Sequence, residues 1–93
     1  MIRSFNDKET ERISKGVFSR RFPADIQKRT KALIDRIQSA NALEDLMKPP
    51  SLRFKKLRGT RKEQYSIRVN DQFRICFSWI DGDATNVELT DYH

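Results

Sequence analysis

The last three residues of the sequence, Asp91, Tyr92 and His93, place a carboxylate, a phenol and an imidazole side by side. His93 is the only histidine, and imidazole is the side chain whose ordinary pKa lies near neutrality. It can therefore accept or donate a proton at neutral pH. On a strand, Asp91 would share a face with His93 and Tyr92 would point to the other face. We interpret the three residues as a set that moves protons, against the alternative of a solvated chain end.

Basic side chains are concentrated ahead of this set. The 93 residues carry a formal net charge of +6, and no Lys or Arg follows Arg74. Residues 53–62 contain no acid and six basic residues: Arg53, Lys55, Lys56, Arg58, Arg61 and Lys62. This density predicts contact with a polyanion, and nucleic acid is favoured over lipid because no amphipathic helix rich in Lys, Trp and Leu is evident. A solvated basic surface is the alternative.

The elements that must position these groups begin with a short apolar segment and a helix. Ile2 and Phe5 are compatible with an edge strand. Asn6 is predicted to cap a first helix, Glu9 to complete a capping box, and Gly16 to end the helix in the left-handed conformation.

A second helix is predicted to follow Pro23, with Asp25 complementing the dipole of its first turn. Its buried face is predicted from residues at helical spacing: Ile26, Leu33, Ile34 and Ile37. Residues 41–46 are predicted to add one more helical turn, which the pair Pro49 and Pro50 ends.

The second half of the chain alternates with the period of a strand. One face of two predicted strands collects the apolar residues Tyr65, Ile67, Val69, Phe73, Ile75, Phe77 and Trp79. The segment "DGD" predicts a tight hairpin into a last strand, and "FKKL" is compatible with a further short strand. Two helices followed by an antiparallel meander predict an α+β fold in one domain, residues 1–93.

The helices would cover one sheet face and leave the other open. Arg68 and Arg74 alternate with the apolar residues, so we expect them to project from the uncovered face beside the basic stretch. A planar guanidinium can grip two phosphate oxygens at once, which makes this face a candidate phosphate cradle.

Several classes of protein are excluded by composition. No apolar run approaches the roughly 20 residues of a membrane span, and the first ten residues lack the apolar core of a secretion signal. A single cysteine, Cys76, excludes an internal disulfide and, with one histidine, a zinc site. We expect a cytoplasmic protein without a metal or other cofactor, in which Cys76 is structural.

The segment "KKLRGTRKEQYSIRVNDQFRICFSWIDGDATNVELTDYH", with "MIRSF" and "PP" before it, resembles the HigB-type toxins of bacterial toxin–antitoxin modules. These toxins are the plasmid maintenance killer branch of the RelE/ParE superfamily. The resemblance covers essentially the whole chain. It implies a compact fold of two N-terminal helices on a twisted, mainly antiparallel sheet, without the C-terminal helix of some relatives.

The resemblance also implies an activity and partners. The activity is endonucleolytic cleavage of messenger RNA in the A site of the small (30S) ribosomal subunit during translation. The implied partner is a HigA-type helix-turn-helix antitoxin that blocks the toxin and represses the operon. The usual assembly is a toxin–antitoxin heterotetramer.

Asp91, Tyr92 and His93 match the terminal catalytic group of the family, and Arg68 and Arg74 match its basic strand positions. The sequence departs from the family at three other positions. Many relatives read "RLHKL" where this chain reads "RFKKL", so Lys55 replaces a histidine often assigned to catalysis; Glu63 stands for a common glycine and Phe73 for a usual tryptophan.

RNA cleavage without a metal uses the substrate's own 2′-hydroxyl as nucleophile. It needs a base, cations around the phosphorus and an acid for the leaving 5′-oxygen. We predict that His93 is the general acid or the general base and that Asp91 orients it or shares in the proton transfer. Tyr92 is predicted to stack on a nucleobase or to hold the phosphate.

Lys55 is predicted to stabilise phosphate charge, because an unperturbed lysine, with a pKa of about 10.4, is a poor base at pH 7. Arg68 and Arg74 would clamp the transition state. The residues predicted to grip ribosomal and messenger RNA are Lys56, Arg58, Arg61 and Lys62.

Simpler interpretations stay open for single residues. Asp91 can pair with a nearby arginine, Tyr92 can be a core or edge aromatic, and Lys55 can be one more solvated charge. Two other functions also stay open. One is a non-enzymatic inhibitor like the ParE branch, which poisons DNA gyrase. The other is a decayed toxin that serves in operon repression.

Overall fold

A computed structural model describes residues 1–57 and 64–92 of the chain. The helices are α1 (Lys8–Ser14), α2 (Ala24–Ser39), α3 (Glu44–Met47) and a 3-10 turn (Pro50–Leu52). The strands are β1 (Lys55–Lys56), β2 (Gln64–Arg68), β3 (Phe73–Ile80) and β4 (Asp83–Asp91). The strands form one antiparallel sheet in the order β1-β2-β3-β4. The predicted α+β fold of helices followed by a meander is confirmed.

Helix α1 begins one residue later than predicted. Asp7, and not Asn6, is the N-cap, and its carboxylate accepts a hydrogen bond from the Thr10 amide at 2.7 Å. Asn6 instead donates its side-chain amide to Glu88 at 2.7 Å. The predicted capping box with Glu9 is also wrong, because the Glu9 carboxylate accepts from the Ser19 hydroxyl at 2.6 Å.

The predicted end of α1 is confirmed. Gly16 has a φ of 77° and its amide donates to Ile13 O at 3.0 Å, while the Val17 amide donates to Arg12 O at 2.9 Å. These two bonds form a Schellman motif, which needs the left-handed residue that glycine provides at little cost.

The apolar face of α2 covers the sheet as predicted. All four of its predicted core residues are at most 6% exposed: Ile26, Leu33, Ile34 and Ile37. They pack in one cluster with the core face of the sheet, which presents chiefly Ile67, Val69, Phe73, Ile75, Phe77, Ala84, Val87 and Leu89. Pro23 occupies the N-cap of α2, and Asp25 lies in its first turn.

The N-terminal segment is an edge partner of β4 and not a continuous strand. Ile2 and Phe5 form isolated parallel bridges with Ala84 and Val87. Two residues separate Ala84 from Val87, yet both are fully buried, because the register between β3 and β4 shifts here and Asn86 takes a φ of 53°. This bulge keeps the core face of β4 in phase on both sides.

The predicted hairpin at "DGD" is confirmed. Asp81 and Gly82 have φ values of 52° and 82°, the two left-handed positions of a two-residue turn between the paired residues Ile80 and Asp83. Within the described residues, no helix is long and apolar enough to cross a membrane.

Candidate functional site

The sheet register decides which of the candidate residues share a face. Lys55 pairs with Ser66 across β1 and β2, and Ser66 pairs with Cys76 across β2 and β3. Arg68 pairs with Arg74. Residues directly opposite in an antiparallel sheet point to the same side. The predicted cations Lys55, Arg68 and Arg74 therefore lie on one face, opposite the core.

These residues surround a groove of about 530 Å³. Its lining residues are Arg53, Lys55, Arg68, Asn70, Asp71, Arg74 and Tyr92. We call this concavity the cationic groove, since four of its seven lining residues are Lys or Arg. Four residues predicted separately for the site, Lys55, Arg68, Arg74 and Tyr92, are thus brought together by the fold.

Arg74 differs from its prediction in exposure. It lies on the predicted face, but it is only 7% exposed and does not project into solvent. Its Nε donates to Ser66 Oγ at 2.8 Å, and its Nη2 donates to Ser66 O at 3.2 Å and to the backbone carbonyl of Arg53. The strand period fixes the face to which a side chain points, whereas neighbouring chain segments decide whether that face is open.

The charge of Arg74 is kept in spite of this burial. Burial lowers the pKa of its guanidinium, Tyr92 and Cys76 oppose that change, and the nearby charge of Arg68 lowers the pKa slightly further. An arginine has such a high ordinary pKa that it stays protonated near neutrality. The floor of the cationic groove therefore holds a partly desolvated positive charge.

Arg68 is the more accessible of the two strand arginines. Its side chain is 35% exposed, and its Nη2 lies 2.5 Å from Asp71 Oδ1, whose side chain is fully exposed. This is an i,i+3 ion pair across the start of the β2–β3 turn. The carboxylate of Asp71 occupies one edge of the guanidinium, in the same manner as a phosphate oxygen would.

Tyr92 and Asp91 lie beside the groove at the end of β4. Tyr92 is 46% exposed, and its hydroxyl lies 3.8 Å from the buried thiol of Cys76. Its amide donates to Gln72 O at 2.7 Å. Asp91 pairs in register with Phe73, and its carboxylate accepts from the Gln72 side chain at 3.1 Å. Gln72 thus contacts both residues. Tyr92 lines the groove, whereas Asp91 pairs with Phe73 and so lies on the opposite face of the sheet, which agrees with the predicted alternation.

Lys56 does not join the groove. It pairs with Tyr65 and so shares the opposite face of the sheet. Lys55 and Lys56 are both exposed, adjacent and equally charged, but of the two only Lys55 lines the groove. Several predicted residues lie outside the described part of the chain: Arg58, Arg61, Lys62 and His93, together with Glu63.

Three lining residues are not among those that the sequence predicts for the site. The sequence indicates Arg53 only as part of the basic stretch, and its place in the groove follows from the turn that ends just before β1. Asn70 and Asp71 belong to a segment that predicts only a turn. Asn70 shapes that turn, because its side-chain oxygen accepts from the Gln72 and Phe73 amides at 2.9 and 2.7 Å.

Two acids of the last strand, Asp83 and Glu88, contact the N-terminal segment and do not line the groove. Asp83 accepts from Arg3 Nε at 2.6 Å and lies 3.3 Å from the N-terminal ammonium, and Glu88 accepts from Asn6. The hydrogen bond from Arg3 lowers the pKa of Asp83 most strongly. Among residues 1–57 and 64–92, no three His, Cys, Asp or Glu side chains are grouped as metal ligands. The groove has an excess of positive charge, because Asp71 is the one acid among the described lining residues, which include Arg53, Lys55, Arg68 and Arg74.

Three comparisons relate this chain to known proteins. The family model described as "RelE-like toxin of type II toxin-antitoxin system HigB" matches residues 3–93. Toxin HigB-1 of Vibrio cholerae serotype O1 is 40% identical over 70 residues, which are 75% of this chain and 74% of that protein. One chain of the YoeB-YefM complex from Staphylococcus aureus has the same fold, with a TM-score of 0.62 at 17% identity over 100% of this chain and 98% of its own.

Proposed function

The chain belongs to the HigB-like family, the RelE-like toxins of type II toxin–antitoxin systems, and on that premise we propose that it is a ribosome-dependent endoribonuclease that cuts messenger RNA under translation in the A site. An antitoxin is the partner of a toxin of this type. The cut uses the 2′-hydroxyl of the substrate and needs no resident metal.

The observation that carries the proposal is the cationic groove. Three elements bring Lys55, Arg68 and Tyr92 to one concave surface, with Arg74 in its floor. Developing negative charge on a phosphate is stabilised most effectively by cations that are already in place and partly shielded from water. A groove that presents exposed and buried cations together has this property.

In the proposed reaction the 2′-oxygen attacks phosphorus while its proton passes to a base. The bond from phosphorus to the 5′-oxygen then breaks, and an acid protonates the leaving oxygen. The products are a 2′,3′-cyclic phosphate and a 5′-hydroxyl. Lys55 and Arg68 stabilise the phosphorane, and Tyr92 stacks on a nucleobase or holds the phosphate. Asp91 and His93 transfer the protons.

The partners follow from the same assignment. We propose a HigA-like helix-turn-helix antitoxin in a heterotetramer, and the ribosome with its messenger RNA as the target. We propose that Lys56, Arg58, Arg61 and Lys62 bind the backbone of ribosomal or messenger RNA, Lys56 from outside the cationic groove. The toxin acts as one domain, residues 1–93, in the cytoplasm where translation takes place.

The test compares four forms of the protein induced in a bacterium at equal protein level: wild type, Lys55→Ala, Lys56→Ala and a form lacking His93. The readout is the map of new 5′ ends within translated messenger RNA. We expect in-frame cuts for wild type, a loss of at least about tenfold for Lys55→Ala, and none without His93.

Lys56→Ala is the matched control, because it removes the same charge from the same strand on the opposite face, and we expect a smaller loss. Equal losses for the two lysines would mean that general charge matters and the groove does not. Growth arrest without new 5′ ends would reject the nuclease and favour inhibition of gyrase. Neither arrest nor cuts at full protein level would indicate a decayed toxin.

A further inference from the structure

Arg74 and the backbone of Arg53 form a corner at the groove edge. Arg53 follows the 3-10 turn Pro50–Leu52 and precedes β1, and its φ of 46° and ψ of 48° are left-handed. A non-glycine residue in this region is strained, because its Cβ lies too close to the following carbonyl oxygen. Such a conformation persists only where its surroundings hold it in place.

Two sets of contacts hold the corner. On the core side, Leu52 is 1% exposed and the ring of Phe54 stacks on Tyr65 at a centroid distance of 5.3 Å. On the groove side, the carbonyl of Arg53 accepts from the buried Nη2 of Arg74. Arg74 is fixed in turn by two bonds to Ser66, from Nε to the hydroxyl at 2.8 Å and from Nη2 to the carbonyl at 3.2 Å.

Arg53 lies in this corner and Lys55 follows two residues later at the start of β1, and both line the groove. The side chain of Arg53 is exposed, whereas that of Arg74 is committed to backbone and Ser66. We propose that Arg53 is a phosphate-contacting residue of the groove and that Arg74 is the positioning residue that aims it. Arg74 thus contributes its charge to the floor of the groove and acts on the phosphate through the Arg53 carbonyl, without contacting the phosphate itself.

This inference rests on the proposed function, since it assigns the phosphate to RNA. It separates two roles that charge alone cannot separate. Lysine at position 74 would keep the charge but cannot bridge Ser66 and Arg53 with a planar fork of donors. A positioning role therefore predicts that Arg74→Lys fails, whereas a purely electrostatic role predicts that it succeeds.

The experiment measures binding of the purified chain to a single-stranded RNA oligonucleotide with 2′-O-methyl sugars, which it cannot cut because the 2′-hydroxyl nucleophile is blocked. Affinity is recorded at several salt concentrations for wild type, Arg53→Gln, Arg74→Lys and the double variant. The slope of log K against log salt falls in magnitude by about 0.7 for each phosphate of a single strand that the protein no longer neutralises. Circular dichroism establishes that each variant is folded at the temperature used.

We expect each single variant to lower the magnitude of the slope by about 0.7, and the double variant to lower it no further than either alone. A wild-type slope for Arg74→Lys, or a slope lowered by about 1.4 in the double variant, would overturn the positioning role. An unchanged slope for Arg53→Gln would overturn the assignment of Arg53.

Ser66→Ala covers the case in which Arg74→Lys does not fold. It deletes only the hydroxyl that accepts from Nε, so Arg74 stays in place less firmly and RNA affinity should fall by about twofold to tenfold. Unchanged affinity would overturn the proposal. Wild type that binds but does not cut on the ribosome would reject the nuclease alone, whereas wild type that does not bind RNA would reject both.

Discussion

Both faces of the sheet bury residues at their centre, but by different means. On the core face Ile67, Ile75 and Phe77 are fully buried against α2. On the groove face Ser66 is equally buried and Arg74 nearly so. Apolar area excludes water from the first face, while a hydrogen-bonded guanidinium closes the second.

The difference matters for how each face tolerates change. Burial of apolar groups is not directional, so a core position accepts side chains of similar volume at modest cost. A buried charge must keep its partners, because a group left unpaired in a low dielectric is very unfavourable. We therefore expect loss of buried volume on the core face to lower stability, and loss of an exposed cation on the groove face to lower binding.

The largest expected effect is on the core face. Phe77→Ala removes a fully buried ring that contacts Tyr65 at a centroid distance of 6.2 Å, and should lower the free energy of unfolding by about 3–5 kcal/mol. Urea denaturation measures it. Ile80→Ala on the same strand, at a side chain 46% exposed, is the control and should change stability by about 0.5 kcal/mol or less. A similar small change for Phe77→Ala would remove the distinction between the faces.

The second-largest expected effect is a loss of RNA affinity caused by a substitution on the groove face. Arg68→Gln removes a partly exposed cation whose partner is an exposed carboxylate, so stability should change little. RNA affinity should fall by about tenfold and the salt slope by about 0.7. Lys28→Gln removes the same charge from an exposed lysine on α2, the helix that covers the opposite face of the sheet, and should leave the slope near that of wild type. Equal effects of the two variants would mean that net charge, and not the groove, binds RNA.

The sequence predicted the core face better than the groove face for a physical reason. Alternation over "QYSIRV" and "FRICFSWI" identifies the apolar side of each strand, and helical spacing identifies the matching face of α2. The strand faces of Arg68, Arg74 and Tyr92 were predicted by the same alternation. The burial of Arg74 was not, because it depends on a carbonyl 21 residues away at Arg53.

The sequence also missed the N-cap of α1 and the bulge of β4. Asn6 and Asp7 are both residue types that cap helices well. The choice between them depends on the pairing of the first residues with β4, which the sequence pattern of a helix start does not contain. The bulge at Asn86 likewise depends on that pairing, since its amide donates to Ser4 Oγ at 2.9 Å. Long-range contacts thus decided the N-cap of α1 and the bulge of β4.

The smallest expected effect tests whether Asp83 of β4 stabilises only the contact with the N-terminal segment and has no effect on the cationic groove. The hydrogen bond from Arg3 lowers the pKa of Asp83 below its ordinary value of 3.8. A carboxyl with a lowered pKa contributes stability that is present above its unfolded pKa and is lost as the pH falls through its folded pKa. Asp83→Asn should therefore have a slightly lower Tm than wild type at neutral pH, and this gap should narrow below about pH 4.

Thermal melts across that pH range measure the gap, with Arg3→Gln as the matched variant because it removes the other half of the pair. The double variant should be no less stable than the less stable single one. RNA affinity should stay within about twofold of wild type for Asp83→Asn, since a charge beyond a Debye length of about 8–10 Å is largely screened. A gap that persists at low pH would mean that Asp83 stabilises the edge by packing, and a large rise in RNA affinity would mean that the edge acids also restrain the cationic groove.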